Sequence, residues 1–413
     1  MLENKELKTL VVIGGGAAGF FCAMNAARIN PLLKVILLEK SNKLLSKVKV
    51  SGGGRCNVTH ACFEIQEMCK HYPRGEHFVR KAFHQFFTTD TIEWFEQRGV
   101  KLKAEADGRM FPVTNSSQTI IDCLLNEANK YGVEILMNRE VKQLKLENDQ
   151  WKIVLNTTEE LSADFICIAC GGFSKLQQFE WLKETGHSIV EPVPSLFTFN
   201  IPNHTITKLM GVVVPEASIK IKSSKLKNTG PLLITHWGMS GPCVLKLSAW
   251  GARELHQLNY DFIIFVNWLK DKNEQELKNE FQFIRTKNGS QKIINNNLFH
   301  LPNRLRQFLL SEAGIKDEWR WADLPSKEQN KLSQLLTNHE FYVKGKTTFK
   351  EEFVTAGGVE LKEVDANTMQ SKLKPHLFFA GEILDVDGIT GGFNFQHAWT
   401  SGFIAGKTIA SLL

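Results

Sequence analysis

The chain has 413 residues, of which 43% are hydrophobic and 23% charged, with a net charge of +6. That length exceeds what one hydrophobic core usually organises, so two or three domains are expected, and the balance excludes a disordered or fibrous chain. No block of five or six like charges marks a nucleic-acid tail, and eight cysteines scattered through so long a chain give no secretory disulfide framework. Leu10-Val11-Val12-Ile13 reads as a strand buried on both faces. Gly14, Gly16 and Gly19 follow at GxGxxG spacing and open a helix. The first glycine allows a tight turn, the second lets backbone approach a diphosphate, and the third permits close helix packing. Gly19, Ala23 and Ala27 keep one helix face small, and Val35 to Leu38 forms the next strand, ended by Glu39. A carboxylate there takes a ribose hydroxyl pair, which favours NAD or FAD over NADP. The charge-free run 10–27 is interrupted by glycines and preceded by Glu3 and Glu6, which argues against a signal peptide or a membrane span and for a cytoplasmic protein.

Residues 41–59, SNKLLSKVKVSGGGRCNVT, form a glycine-rich loop with clustered positive charge. Ser51, Gly52, Gly53, Gly54, Arg55, Cys56 and Asn57 read either as a second cofactor loop, with Arg55 forking onto phosphate or carbonyl oxygens, or as a flexible surface loop. One helix is expected over 77–100, started at Asp90 and Glu93 and stopped at Gly99, and another over 117–131. Strands follow at 133–136 and 141–146, the latter paired with 151–155 across Asn148-Asp149. Residues 163–172, ADFICIACGG, form a buried strand ending in glycines. Its Cys167 and Cys170 make a CxxC, read as buried strand cysteines ahead of a redox pair.

Pro192 and Pro194 punctuate a boundary. Short segments at 197–201, 212–214, 217–221, 232–235 and 260–268 suggest an antiparallel sheet or barrel, and helices are expected at 274–285, 302–313 and 326–336, the last opened by a capping box of Ser326 and Gln329. No second GxGxxG occurs in this insert. Strands return at 353–359 and 377–382, then DVDGITGG at 385–392 leads into a final helix from Asn394 whose Ala398, Gly402 and Gly406 form a second small face. The expected layout is an α/β Rossmann-like domain in two pieces, 1–190 and 346–413, around a β-rich insert at 191–270 and a helical subdomain at 271–345. No metal-ligand cluster is evident.

With both ends in view, the chain resembles the HI0933-like, YhiN-type family of FAD flavoproteins, NAD(P)/FAD-dependent oxidoreductases of the two-dinucleotide-binding-domain superfamily. The motifs that carry it are IGGGAAG at 13–19, SGGGRCNVT at 51–59, GRMFP at 108–112, THWGMSGP at 235–242, VTAGGV at 354–359 and AGEILDVDGITGGFNFQHAWTSG at 380–402. The resemblance implies tightly but non-covalently bound FAD. Its diphosphate would lie on Gly14, Gly16, Ala17, Ala18 and Gly19, its ribose at Glu39, with Lys40 and Lys47 beside the adenine or phosphates and Val141 at the adenine. Cys170, Gly171, Gly381, Glu382 and Asp387 would border the ribitol and diphosphate, and Gly391, Gly392, Phe393 and Asn394 the flavin ring. One departure stands out, Ala169-Cys170-Gly171 where the superfamily commonly has Ala-Thr-Gly.

The implied reaction is hydride transfer between flavin and a small organic molecule where the FAD domain meets the insert, either enone reduction or amine oxidation, with NADH or NADPH as a candidate electron donor. His236 and Cys56 are the candidates for the proton-handling or nucleophilic group, and His397 reads as packing. Two alternatives remain. One is a tRNA-modifying flavoprotein, for which the run Lys220, Lys222, Lys225 and Lys227 is the sequence argument, although a nucleic-acid partner is not the favoured reading. The other is a non-catalytic electron-transfer module.

Overall fold

The computed structural model describes residues 7–157, 159–270, 272–297, 299–348 and 354–412. Contacts divide it into two units: one runs up to Pro194 and resumes after Thr348, and the other is Ser195–Thr348. Phe353, expected to begin a strand, lies outside the described residues.

The first unit is built on five parallel strands in the order Leu377–Phe379, Phe165–Ile168, Thr9–Ile13, Lys34–Glu39 and Glu134–Met137. Covered on both faces, such strands read as continuous apolar runs rather than alternating ones; Leu10, Val11 and Val12 are wholly buried at the centre. Ile13 is in register with Ile168, and Ile168 with Phe379. The carboxyl ends of three neighbouring strands are therefore level, and each leads into a glycine-bearing turn, at Gly14, Gly171 and Gly381. The crevice outside the carboxyl ends of a parallel sheet is where such folds take ligands.

The first helix, Ala17–Ile29, and the last, Phe393–Ala410, pack directly on one another. A β-carbon on Gly402 would stand 2.5 Å from the Ala18 carbonyl oxygen, and one on Gly406 2.5 Å from that of Cys22. The small face of the last helix thus brings the two ends of the chain together backbone to backbone. Gly19 has a different neighbour: its β-carbon would meet the Gly14 carbonyl oxygen at 1.9 Å, so it closes the turn onto the sheet.

Several local expectations need correction. The single helix expected over 77–100 is two, Glu76–Phe83 and Thr88–Glu96. The break falls before Phe87, whose backbone N–H donates to Asp90 Oδ2 at 2.7 Å, so Asp90 sits in the first turn of an existing helix instead of starting one. Ser46 to Val50 of the expected glycine loop is helical, and the chain leaves that helix at Ser51 to Gly53, where Gly52 and Gly53 have φ of 58° and 70°. No capping box forms at Ser326: Pro325 is the N-cap and carries no side-chain cap, so Ser326 is already inside the helix. The hairpin at Asn148-Asp149 forms as expected, with φ of 49° and 62° at its two turn residues, the left-handed pair a two-residue hairpin favours.

The second unit holds a seven-stranded sheet, ordered His339–Lys344, Asp261–Asn267, Val213–Ile221, Lys227–Ile234, Gly238–Ser240, Thr198–Asn200 and Lys346–Thr347. Its two edge strands are one segment of chain interrupted at Gly345. The Gly345 N–H donates to Tyr260 O at 2.8 Å while its carbonyl accepts from Asn200 N at 3.2 Å, so the segment borders both edges and curls the sheet closed. Closure removes the exposed edges that invite association. Helices Glu274–Asn288, Asn303–Ala313 and Ser326–Thr337 share one apolar core with this sheet, Leu277, Phe281, Leu305 and Leu336 joining Ile219, Ile264 and Phe341.

Candidate functional site

The turn from the first strand into the first helix is a cradle of backbone. A β-carbon on Gly14, which has φ of 118°, would stand 2.4 Å from the Ala169 carbonyl oxygen, whereas one on Gly16 would meet nothing within 4 Å. Space therefore opens in front of the helix start. Gly16 caps that helix without a side-chain hydrogen bond, and no acidic residue lies in its first turn. Free N–H groups at such an end carry about half a positive charge. Ala17 and Ala18 form the first turn, and the β-carbon of Ala18 would be 2.7 Å from one added to Gly381.

Glu39 ends the second strand with both carboxylate oxygens engaged, Oε2 accepting from Gly15 N at 2.9 Å and Oε1 from Ser41 N and Oγ at 2.9 and 2.8 Å. The segment before Val141 rests against that strand end, Arg139 N donating to Glu39 O at 2.9 Å. Lys40 is exposed, its Nζ 5.5 Å from the centre of the Phe173 ring. Lys47 pairs with Glu382, and Glu382 Oε1 also accepts from Thr355 N at 3.0 Å. That ion pair joins the helical turns leading into the SGGGRCN segment to the turn after Gly381, and Gly171 lies 3.9 Å from the same carboxylate by its added β-carbon.

A second contact between these remote segments is tighter. With its amide set so that each atom meets a complementary partner, Asn57 accepts from Gly392 N at 3.0 Å and donates to Thr59 O at 3.1 Å. Gly392 has φ of 98°, and a β-carbon there would stand 2.5 Å from the Thr59 carbonyl. Asn394 holds its own loop, exchanging two hydrogen bonds of 2.8 Å with Gly388. No side chain caps the last helix and its first turn holds no acid. The first unit thus contains two electropositive helix starts, one at Ala17 and one at Phe393.

The structure also reveals residues that local sequence reasoning passed over. Thr59 Oγ1 and Thr91 Oγ1 donate to Gln396 Oε1 at 2.6 and 3.0 Å, Trp399 Nε1 to Val58 O at 2.9 Å, and Tyr72 OH to Phe393 O at 2.6 Å. His60 Nδ1 lies 2.9 Å from Gly391 O, and the His60 and His71 rings sit 4.7 and 4.4 Å from that of Phe393. Asp387 is wholly buried and gripped at both oxygens by Arg74. It ties down the loop before Gly391 and is not a free ligand.

Other residues that the sequence put forward have defined surroundings of their own. Arg55 does not present a free fork: it pairs with Glu105 Oε1 at 2.6 Å and its guanidinium lies 3.9 Å from the Phe111 ring centre. Cys56 is wholly buried, and desolvation, only partly offset by a hydrogen bond from Ser51, pushes its thiol up to about 12. A nucleophile needs the opposite shift. Cys167 is buried and interacts with Cys22, and burial raises the Cys170 thiol to about 12, in keeping with the reading of the CxxC as buried strand cysteines. His236 belongs to the other unit, where it is exposed and its ring packs 3.9 Å from that of Trp237. His397 is buried with Nε2 3.2 Å from Gly381 O, and burial holds its imidazole down at about 4, hence neutral.

Residues 8–408 match the model of the HI0933-like protein Rossmann domain. The chain belongs to the HI0933-like family. Members of this FAD-binding oxidoreductase family include full-length relatives with named activities. The chain is 28% identical to the ribosomal RNA dihydrouridine synthase of Haemophilus influenzae, over 97% of this chain and 98% of that one. It is 26% identical to the 3-dehydro-bile acid delta(4,6)-reductase of Clostridium scindens, over 97% and 98%. Among solved structures it shares the fold of the 3-ketosteroid-delta4-(5alpha)-dehydrogenase of Rhodococcus jostii RHA1, solved with 4-androstene-3,17-dione. That likeness has a TM-score of 0.51 at 12% identity and covers 99% of this chain and 98% of that one. Among the described residues no helix is long and apolar enough to cross a membrane, and no group of three His, Cys, Asp or Glu could hold a metal ion.

Proposed function

We propose that this member of the HI0933-like family uses FAD to reduce a carbon–carbon double bond conjugated with a carbonyl group. The observation that carries the reading is the pair of uncapped helix starts in one unit, each preceded by glycines that leave backbone bare. The space in front of Gly16 and the absence of acid in either first turn suit a diphosphate at one end and an electron-rich ring edge at the other. Gly14 to Gly19 would hold the diphosphate and Glu39 the ribose. Lys47 and Glu382 would flank the linker between them, and Phe393 and Asn394 would direct their N–H groups at the ring. When bound, the flavin supplies two-electron hydride chemistry, which the protein positions and tunes.

The direction of electron flow and the acceptor class rest on the relatives' chemistry. A uracil ring has its C5–C6 double bond conjugated with a carbonyl, and so has a 3-keto steroid acid with unsaturation in its first rings. Both names thus describe the same reaction type on different bodies. Reduced NADH or NADPH would be the electron source, docking without a glycine fingerprint of its own.

A second reading of the acceptor is uracil within RNA. It is favoured by the two ribosomal RNA synthases, each 28% identical to this chain across 97% of its length. Exposed Lys220, Lys222, Lys225 and Lys227 on one hairpin would supply phosphate contacts.

The test is to bleach the flavin anaerobically with NADH or NADPH, then add a panel of cyclic enones or an unmodified ribosomal RNA transcript while following the flavin band and product mass. Reoxidation with a product heavier by two hydrogens supports the proposal and identifies the acceptor. Reduction by an amine donor alone, with every enone and RNA inert, would overturn it.

A further inference from the structure

One short segment, His71-Tyr72-Pro73-Arg74-Gly75, ties down the loop 385–392 and the helix start that follows it. Ile389 N donates to His71 O at 2.9 Å, and Tyr72 OH donates to Phe393 O at 2.6 Å. Arg74 grips both oxygens of Asp387, and the backbones of the same two residues meet in an antiparallel bridge. The His71 ring lies 4.4 Å from that of Phe393. A β-carbon on Gly75 would stand 2.6 Å from the Val386 side chain, and one on Gly388 3.3 Å from the Tyr72 ring, so the two segments are packed together as well as bonded. The strap is itself anchored. It lies between helices Ile65–Cys69 and Glu76–Phe83, and Tyr72 N donates back to Cys69 O at 3.1 Å.

The loop needs such a strap. It contains Gly388, Gly391 and Gly392, the last two with φ of 141° and 98°, and glycine loses more freedom than any other residue when it is fixed. A buried ion pair is a costly tie, with Asp387 wholly buried and the Arg74 side chain 14% exposed. Such a pair adds little net stability. What it supplies is orientation, because the planar guanidinium fork meets a carboxylate in one geometry. Tyr72, 1% exposed, then fixes the carbonyl of the first residue of the last helix. The loop is thus held at positions 386–389 and 393, while the first turn of that helix stays free of a side-chain cap or an acid.

We propose that this strap sets the reduction potential of the bound flavin, with Tyr72 and Arg74 as positioning residues. The inference rests on the reading above, in which the N–H groups of Phe393 and Asn394 face the flavin ring. Donors held in place before charge develops stabilise it without reorganising. When the loop is loosened they drift, and reduced flavin, which places more negative charge on the ring, loses more stabilisation than oxidised flavin. Loosening the strap therefore lowers the potential while the grip of Gly14 to Gly19 on the diphosphate is retained.

The test measures the potential of the FAD-loaded, full-length protein against a reference dye in the wild type, Tyr72→Phe, Arg74→Lys and Arg98→Lys. Tyr72→Phe removes one hydroxyl, and Arg74→Lys keeps the charge but not the fork. Arg98→Lys is the control, since it makes the same change in another largely buried ion pair of this unit, that with Glu127. At a fixed potential the ratio of reduced to oxidised flavin is expected to fall at least about threefold in Tyr72→Phe and about tenfold, or 30 mV, in Arg74→Lys. FAD stoichiometry should stay at the wild-type value in Tyr72→Phe, and Arg98→Lys should keep the wild-type potential. If Arg74→Lys does not hold FAD, Tyr72→Phe decides. A fall of less than about threefold in Tyr72→Phe, or an equal shift in Arg98→Lys, overturns the proposal. The two ways of failing are separable by amide exchange. FAD that binds the wild type without protecting residues 391–396 would remove the functional reading underneath, whereas protection there with an unmoved potential would remove this proposal alone.

Discussion

In the first unit the polar groups that leave water are tied across long stretches of chain. Thr59 and Thr91 share Gln396 as acceptor, Asn57 meets Gly392, and Arg74 closes on a wholly buried Asp387. In the second unit the core is aliphatic and aromatic, and the closure of its sheet at Gly345 is made by backbone hydrogen bonds alone. One region uses side-chain hydrogen bonds to fix bare backbone in place; the other is held by apolar packing and backbone pairing. The lesson is that bare glycine backbone at a binding cradle needs long-range polar ties, whereas a core that only has to hold together does not.

The comparison can be broken most severely at Gly19. Valine there would drive a β-carbon to within 1.9 Å of the Gly14 carbonyl oxygen, so Gly19→Val should lose FAD by at least about tenfold in stoichiometry, the scale of a 1.4 kcal/mol or larger loss. Absorbance of the purified protein at the flavin band checks it. Gly345→Val strains the φ of 89° that closes the sheet of the second unit. It should lower the melting temperature while leaving FAD stoichiometry at the wild-type value; loss of flavin in that variant would erase the distinction between the units.

A smaller effect is expected from Gln396→Leu, which leaves the hydroxyls of Thr59 and Thr91, both wholly buried, without their acceptor. The cost should be about 1–3 kcal/mol per orphaned group, read from denaturant unfolding of the flavin-loaded protein. If stability is unchanged, the network is ornament.

The smallest effect at neutral pH concerns His397. Burial depresses its folded pKa to about 4 against about 6.5 in an unfolded chain. Between these values the unfolded state binds a proton that the folded state refuses, so stability falls as pH drops from about 6.5 toward 4 and the slope flattens below. Above about 6.5 both states are neutral and no dependence arises. His397→Leu should remove that part of the acid slope; an unaltered slope from pH 7 to 4 would show that the imidazole titrates normally.

What the sequence disclosed followed from range. The strand, glycine turn, helix and second strand of 10–39 depend on neighbours within a few residues, and the turn at Asn148-Asp149 on two. The same holds for the small face at Gly402 and Gly406, a local spacing with one physical use. The pairings that hold the site together span hundreds of positions, as Lys47 to Glu382 and Asn57 to Gly392 do, and nothing in either local pattern names its partner. The ion pair of Arg55 was not legible because its carboxylate, Glu105, lies 50 residues away. The break near Phe87 was missed because the apolar period continues through it, and only the cap made by Asp90 fixes the start of the second helix. Closure at Gly345 was invisible for the same reason: its two partners, Tyr260 and Asn200, come from opposite edges of one sheet.

The central claim is that the glycine turns at the two ends of the chain form one cradle for a single extended FAD. Hydrogen–deuterium exchange of the flavin-stripped protein, with and without added FAD, tests it most directly. Protection that appears together at residues 14–20, 51–57 and 391–396 on FAD addition is the predicted result. A protein that takes up FAD yet gains protection at only one of these segments, or that refuses FAD altogether, would contradict it.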